Sequence, residues 1–245
     1  MEIDFNNPNK LLVVRQLFER FNYNYGNLFD MAQVDQALAS IILVNEDYSN
    51  ISEERVINRF KCGAKAVQGE GRMYLTSKST IDVIYHETLH QLTEATRGVS
   101  GLIAESYSEE EINEKITKIG ENLLIRQIDQ LNESFTRFMT ELAIPEVTVH
   151  DAYQYGADVI RNYYNSLMAK EIDPFFVLEA YAKGNQDDFN RIKNSFGDHF
   201  DEVLRNIEMD NNKGYYIFKK MPNTMISNEA MLTIIDEATS SITLK

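Results

Sequence analysis

Cysteine occurs once in the 245 residues, at Cys62, so no disulfide framework can form within the chain, which suits a reducing compartment without requiring one. Cys62 itself reads as ordinary packing. Positive charge is scarce: 24 Lys and Arg against 38 Asp and Glu leave a net charge of −14. With a pI of about 4.8, this argues against nucleic acid or an anionic membrane as the main partner. Cationic or neutral substrates suit it better. Long apolar runs are missing too. The longest, around Ile41-Ile42-Leu43-Val44, is far too short to cross a bilayer, and Met1–Pro8 has no basic segment leading into an apolar one, as a signal peptide would. The expectation is a soluble chain, cytoplasmic or exported without a classical signal peptide, or a soluble domain of something larger. There is no low-complexity stretch and no internal repeat.

What is present is mostly helical periodicity. Leu11, Val14, Leu17, Phe18 and Phe21 recur at three- and four-residue spacings, which predicts an amphipathic helix over about 8–21. A second helix is expected over 27–44, with Ile41–Val44 able to turn into a strand, and a short third one from Ser52. Residues 65–76 alternate β-formers around Gly69 and Gly71, the pattern of a bulged strand or hairpin. It is expected as an edge strand that a peptide could extend by main-chain pairing. Ser79 with Asp82 resembles a capping box for a helix over 80–96, stopped at Arg97-Gly98. Ser108–Glu111 starts another helical region and Gly120 interrupts it. A strongly periodic helix follows over 122–143, closed by Pro145. Further helices are expected over 151–172, 174–183 with Gly184 as stop, 187–194, 199–207 and 228–239, with a strand at Tyr215–Phe218. The fold class is therefore α+β and predominantly helical. A small mixed or antiparallel sheet and one long helix make an N-terminal lobe, 1–100, and helices make a C-terminal lobe, 101–245.

Histidine is also scarce, at four residues, and two of them stand in His86-Glu87-Thr88-Leu89-His90. This is HExxH, for which this composition gives a chance expectation of roughly 0.006 occurrences. On a helix, residues four apart share one face, so His86 and His90 can hold one zinc ion with Glu87 beside it. Glu87 is then the general base, taking a proton from water and passing it to the leaving amine. A zinc site of this kind takes a third protein ligand. Glu94 is about 12 Å from His86 along the helix axis, too far for bonds of about 2 Å. The continuation xxGxxH fails, because Thr93 and Thr96 stand where it needs Gly and His. His150 and His199 stand in no metal pattern, and Glu105, Asp129, Glu133 and Glu141 are the acids left open.

The segment Leu131-Asn132-Glu133-Ser134-Phe135-Thr136 resembles the L-N-E-G-F-A/T segment of gluzincin metallopeptidases, the thermolysin-like and aminopeptidase-like clan. The resemblance covers about 79–143. A weaker likeness, Ala180–Asn185 with Phe189, is to the helical lobe of a bacterial subgroup. The resemblance implies a zincin-like fold, Glu133 as third zinc ligand, and a zinc-dependent metallopeptidase. It further implies an oxyanion donor from the lobe after that ligand, with Tyr153, Tyr155 and His150 as candidates. Two departures stand out: Ser134 replaces the usual glycine, and the separation 133 − 90 = 43 exceeds the family's usual spacing. The same chemistry would serve an effector or toxin protease domain aimed at one protein. A non-catalytic zinc-binding module is the other alternative, though the retained Glu87 gives it no support.

Overall fold

The computed structural model describes residues 3–4, 7–43, 64–67, 72–76, 79–97, 110, 113–114, 117, 121–146, 154–196, 207–210 and 215–218. The backbone falls into two compact units, Met1–Ser100 with Thr140–Val147, and Gly101–Met139 with Thr148–Lys245. Among the described residues there are seven helices and five short strands. None of these helices is long and apolar enough to cross a membrane.

In the first unit, helix α1 (Lys10–Tyr25) begins where the Asn9 side chain accepts from the Leu12 N–H, and helix α2 (Met31–Ala39) begins in the same way at Asp30. Both caps satisfy amide groups that a helix start leaves without partners. Val13, Val14, Leu17, Phe18 and Phe21 are buried along one stripe of α1, as its apolar periodicity requires. The helix runs one turn beyond the expected 8–21. Asn22 closes the connection to α2 with both ends of its amide, donating to the Phe29 carbonyl at 2.7 Å and accepting from the Phe29 N–H at 3.0 Å. Strand β1 (Ile41–Leu43) follows Ser40, so the expected 27–44 segment divides into a helix and a strand.

Strands β2 (Ala64–Val67) and β3 (Arg72–Leu75) pair antiparallel, with Val67 opposite Arg72, which is the hairpin alternative for residues 65–76. The order is β1-β3-β2, with β1 parallel to β3, so of the expected 65–76 stretch β3 is the central strand and β2 stands at the edge of the sheet among the described residues. A ladder filled on both sides leaves β3 itself no room for an added peptide strand. Met73, Tyr74 and Leu75 are accordingly buried in succession, as in a strand covered on both faces.

Helix α3 (Ile81–Arg97) packs on α1, α2, β2 and β3. Its first helical bond runs from the Ile84 N–H to the Thr80 carbonyl, while the Ser79 hydroxyl accepts from the Thr76 N–H at 3.1 Å. Ser79 thus ties the helix start back to β3, and Lys10 Nζ donates to the Ser79 carbonyl at 2.7 Å. The anchor of this unit is Phe18, fully buried, stacked on Tyr85 at 4.3 Å and edge-on to Phe29 at 5.2 Å. Truncating a buried Phe costs about 3–5 kcal/mol. Phe18→Ala is expected to lose that much in urea unfolding, with the midpoint lowered at unchanged slope. A loss under about 1 kcal/mol would mean that the site closes over the cavity.

The second unit contains most of helix α4 (Glu121–Ala143), then helices α5 (Gln154–Ala169), α6 (Phe175–Lys183) and α7 (Gln186–Phe196) and an antiparallel strand pair, β4 (Ile207–Asp210) with β5 (Tyr215–Phe218). The last turn of α4 belongs to the first unit, where Arg20 donates to the Ala143 carbonyl. Phe138 packs on Tyr164 of α5, Phe135 lies parallel to Tyr181 of α6, Tyr163 meets Phe196 of α7, and Arg191 sits 3.9 Å over Phe176. Burial pushes the Tyr163 phenol up to about 12, against the opposing pull of Ser195 and Arg191, so it is a neutral packing group at ordinary pH.

Helix α5 stops at Ala169, short of the expected 172, with Glu171 at φ 58° and the Ile172 N–H bonded to the Leu167 carbonyl. The chain turns there because Asp173 precedes a proline and disfavours helix, and the Asp173 carboxylate instead accepts from the Phe175 N–H. Gly184 ends α6 at φ 66°, where a residue without Cβ meets no steric penalty. Glu110, Asn113, Glu114 and Thr117 are helical, as the start at Ser108–Glu111 predicts. Ile207 opens β4 instead of ending a helix. The expected elements at 52 and 228–239 lie outside the described residues.

Candidate metal centre

Helix α3 has two faces with different work. Ile84, Tyr85, Thr88, Leu89 and Leu92 are at most 3% exposed, and at about 100° per residue they fall on one side of the helix. Thr88 lies among them because its hydroxyl is used locally, donating to the Ile84 carbonyl at 2.7 Å with Met73 Sδ at 3.9 Å. Fixing this side in the core fixes what the other side presents. His86 and His90 stand on the far side with Glu87 next to them, and all three are half-buried.

The two imidazoles face each other through Nε2, 3.1 Å apart, with ring centroids 4.8 Å apart at 75°. A tetrahedral ion with arms of about 2.0–2.1 Å has donors about 3.3–3.4 Å from one another. The observed separation is close to that edge. Glu133, on α4, supplies the third donor: ligand atoms of His86, His90 and Glu133 all lie within 4.8 Å of one another. A carboxylate can close the remaining gap by turning about its side-chain bonds. Two imidazoles and one carboxylate suit a borderline divalent metal, so the donor set and its spacing fit a metal ion.

Glu133 stands on the polar side of α4. Leu131, Phe135 and Phe138, its apolar neighbours in the chain, lie on the opposite side of α4 by helical geometry, buried against the second unit's own aromatics. The side that carries Glu133 is polar and nevertheless buried. Ser134, Thr136 and Thr140 are at 0% exposure and Arg137 at 4%. Glu133 itself is half-buried among them. Thr136 donates to the Asn132 carbonyl at 2.8 Å, which leaves its oxygen to accept from the Tyr181 hydroxyl at 2.6 Å. The buried amide oxygens of Gln91 and Asn132, each beside a metal-ligand candidate, have no hydrogen-bond partner among the described residues, so each offers an acceptor to an ordered water or ligand N–H.

Of the other sequence candidates, Tyr155 lies in the first turn of α5. His150, Tyr153, His199 and Glu105 lie outside the described residues, as does the side chain of Asp129. Glu141 is half-buried but two turns beyond Glu133 and outside the cluster. Sequence reasoning missed the buried polar side of α4. Its only signal was the recurrence of Thr136, Arg137 and Thr140 at helical spacing, which by itself reads as a face turned to water. Comparison with known proteins gives no match: no family model, no curated protein and no solved structure.

Proposed function

We propose that this protein is a zinc-dependent metallopeptidase of gluzincin type, zincin-like in its active-site helix. The observation that carries the reading is the convergence of the HExxH pair with Glu133 in one group of donors. Zinc held by His86, His90 and Glu133 would supply Lewis acidity, making water a nucleophile near neutral pH and polarising a carbonyl oxygen. His86 and His90 would hold the ion as neutral ligands and Glu133 would bring one negative charge, so the group would retain a net positive charge. Glu87 performs the proton transfers, accepting from the attacking water and returning the proton to the leaving amine nitrogen. Both transfers occur at the same carboxylate, and this is why the motif requires an acid next to the first histidine. Tyr155, Tyr153 and His150 remain the proposed donors to the developing oxyanion.

The test is hydrolysis of a broad synthetic peptide mixture by the zinc-loaded protein, read by mass spectrometry. New peptide termini are expected, absent after chelation and regained on adding zinc. Cleavage that continues undiminished in the chelated protein contradicts the reading, and so does a zinc-loaded protein that leaves every peptide intact.

A further inference from the structure

Arg137 is 4% exposed on the same side of α4 as Glu133. A guanidinium does not shed its proton in a protein, so when it leaves water it must be held by an anion or by several acceptors. On its own helix, the acids one turn to either side are Glu133, four residues before, and Glu141, four residues after. Both are half-buried, and residues at that spacing are neighbours on the helix surface. Glu133 has two carboxylate oxygens, and a metal needs only one of them.

We propose that Arg137 is a positioning residue that grips one oxygen of Glu133 and turns the other towards the metal. The inference rests on the metal reading given above. The planar fork of arginine fixes the plane of the carboxylate in a way that a lysine ammonium cannot. Its charge, taken alone, would repel a cation. Glu141 on the far side offsets it, and the Glu133-Arg137-Glu141 stripe keeps a net charge of −1. Arginine here contributes orientation, as groups that hold a metal ligand from outside commonly do.

Zinc titrations of purified variants separate this role from simple structural support. Arg137→Met is expected to weaken zinc binding about 10- to 100-fold, and Arg137→Lys to recover only part of that. If Arg137→Met does not fold, Arg137→Lys carries the test, with a several-fold loss expected. In a Glu133→Gln background the Arg137 substitution is expected to add nothing, because the group it orients has lost its charge. Glu141→Gln is expected to shift affinity far less than Arg137→Met. Unchanged zinc affinity in either Arg137 variant overturns the proposal. So does an equal loss with and without Glu133, or a Glu141→Gln loss that matches that of Arg137→Met. A wild-type protein that binds no zinc would instead overturn the metal site itself.

Discussion

Glu87→Gln is expected to leave zinc bound and to lower peptide hydrolysis by about 10²- to 10⁴-fold, the usual contribution of a positioned acid–base group. Glutamine keeps the size of the side chain and much of its hydrogen bonding but cannot carry a proton between water and amine. Because Glu87 stands beside the donor group and outside it, the substitution removes chemistry without removing a ligand. In barrier terms the loss is about 3–5.5 kcal/mol, far larger than an indirect packing change at a half-buried position would give. The two quantities should be measured on one preparation, kcat/KM against a cleaved peptide and zinc content per chain. Full activity in Glu87→Gln would remove the general base from the account. Loss of zinc together with activity would place Glu87 among the ligands and require a different base.

Much of this was legible in the sequence because it is local. The HExxH helix, Glu121–Ala143 and the helices over 154–196 follow from apolar spacing and from stops at Pro145 and Gly184, all of which act within a few residues. Glu133 was legible by resemblance, through a six-residue segment, and its meeting with His86 and His90 was not derivable from spacing. The parallel pairing of Ile41–Leu43 with Met73–Leu75 was also hidden. Three residues give too little period to read, and their partner is about thirty residues away. Strand β4 escaped for a related reason, since Ile207–Asp210 is four residues long and pairs only through β5. The buried polar side of α4 could not be inferred, because sequence periodicity separates polar from apolar but does not say which polar face loses its water. Arg137 shows the limit: its spacing from Glu133 reads as a surface pair of a few tenths of a kcal/mol, whereas its burial makes it a group that must be held.

The second large effect concerns the donors themselves. Substituting a group that merely orients a metal ligand costs about 10- to 100-fold in affinity, so removing a ligand must cost on the order of 100-fold or more. His86→Ala, His90→Ala and Glu133→Gln are each expected to reach that range. The effects should not add, since a tetrahedral site deprived of one donor already lacks its preferred closure. Glu133 is the decisive position, because the histidines would bind some zinc as a bare i,i+4 pair on any helix. The most direct measurement is a calorimetric titration of zinc into the metal-free wild-type protein and into Glu133→Gln, side by side. One equivalent bound by the wild type, with affinity lower by about 100-fold or more in the variant, is the predicted result. Equal affinity in the two proteins would contradict a centre built from His86, His90 and Glu133.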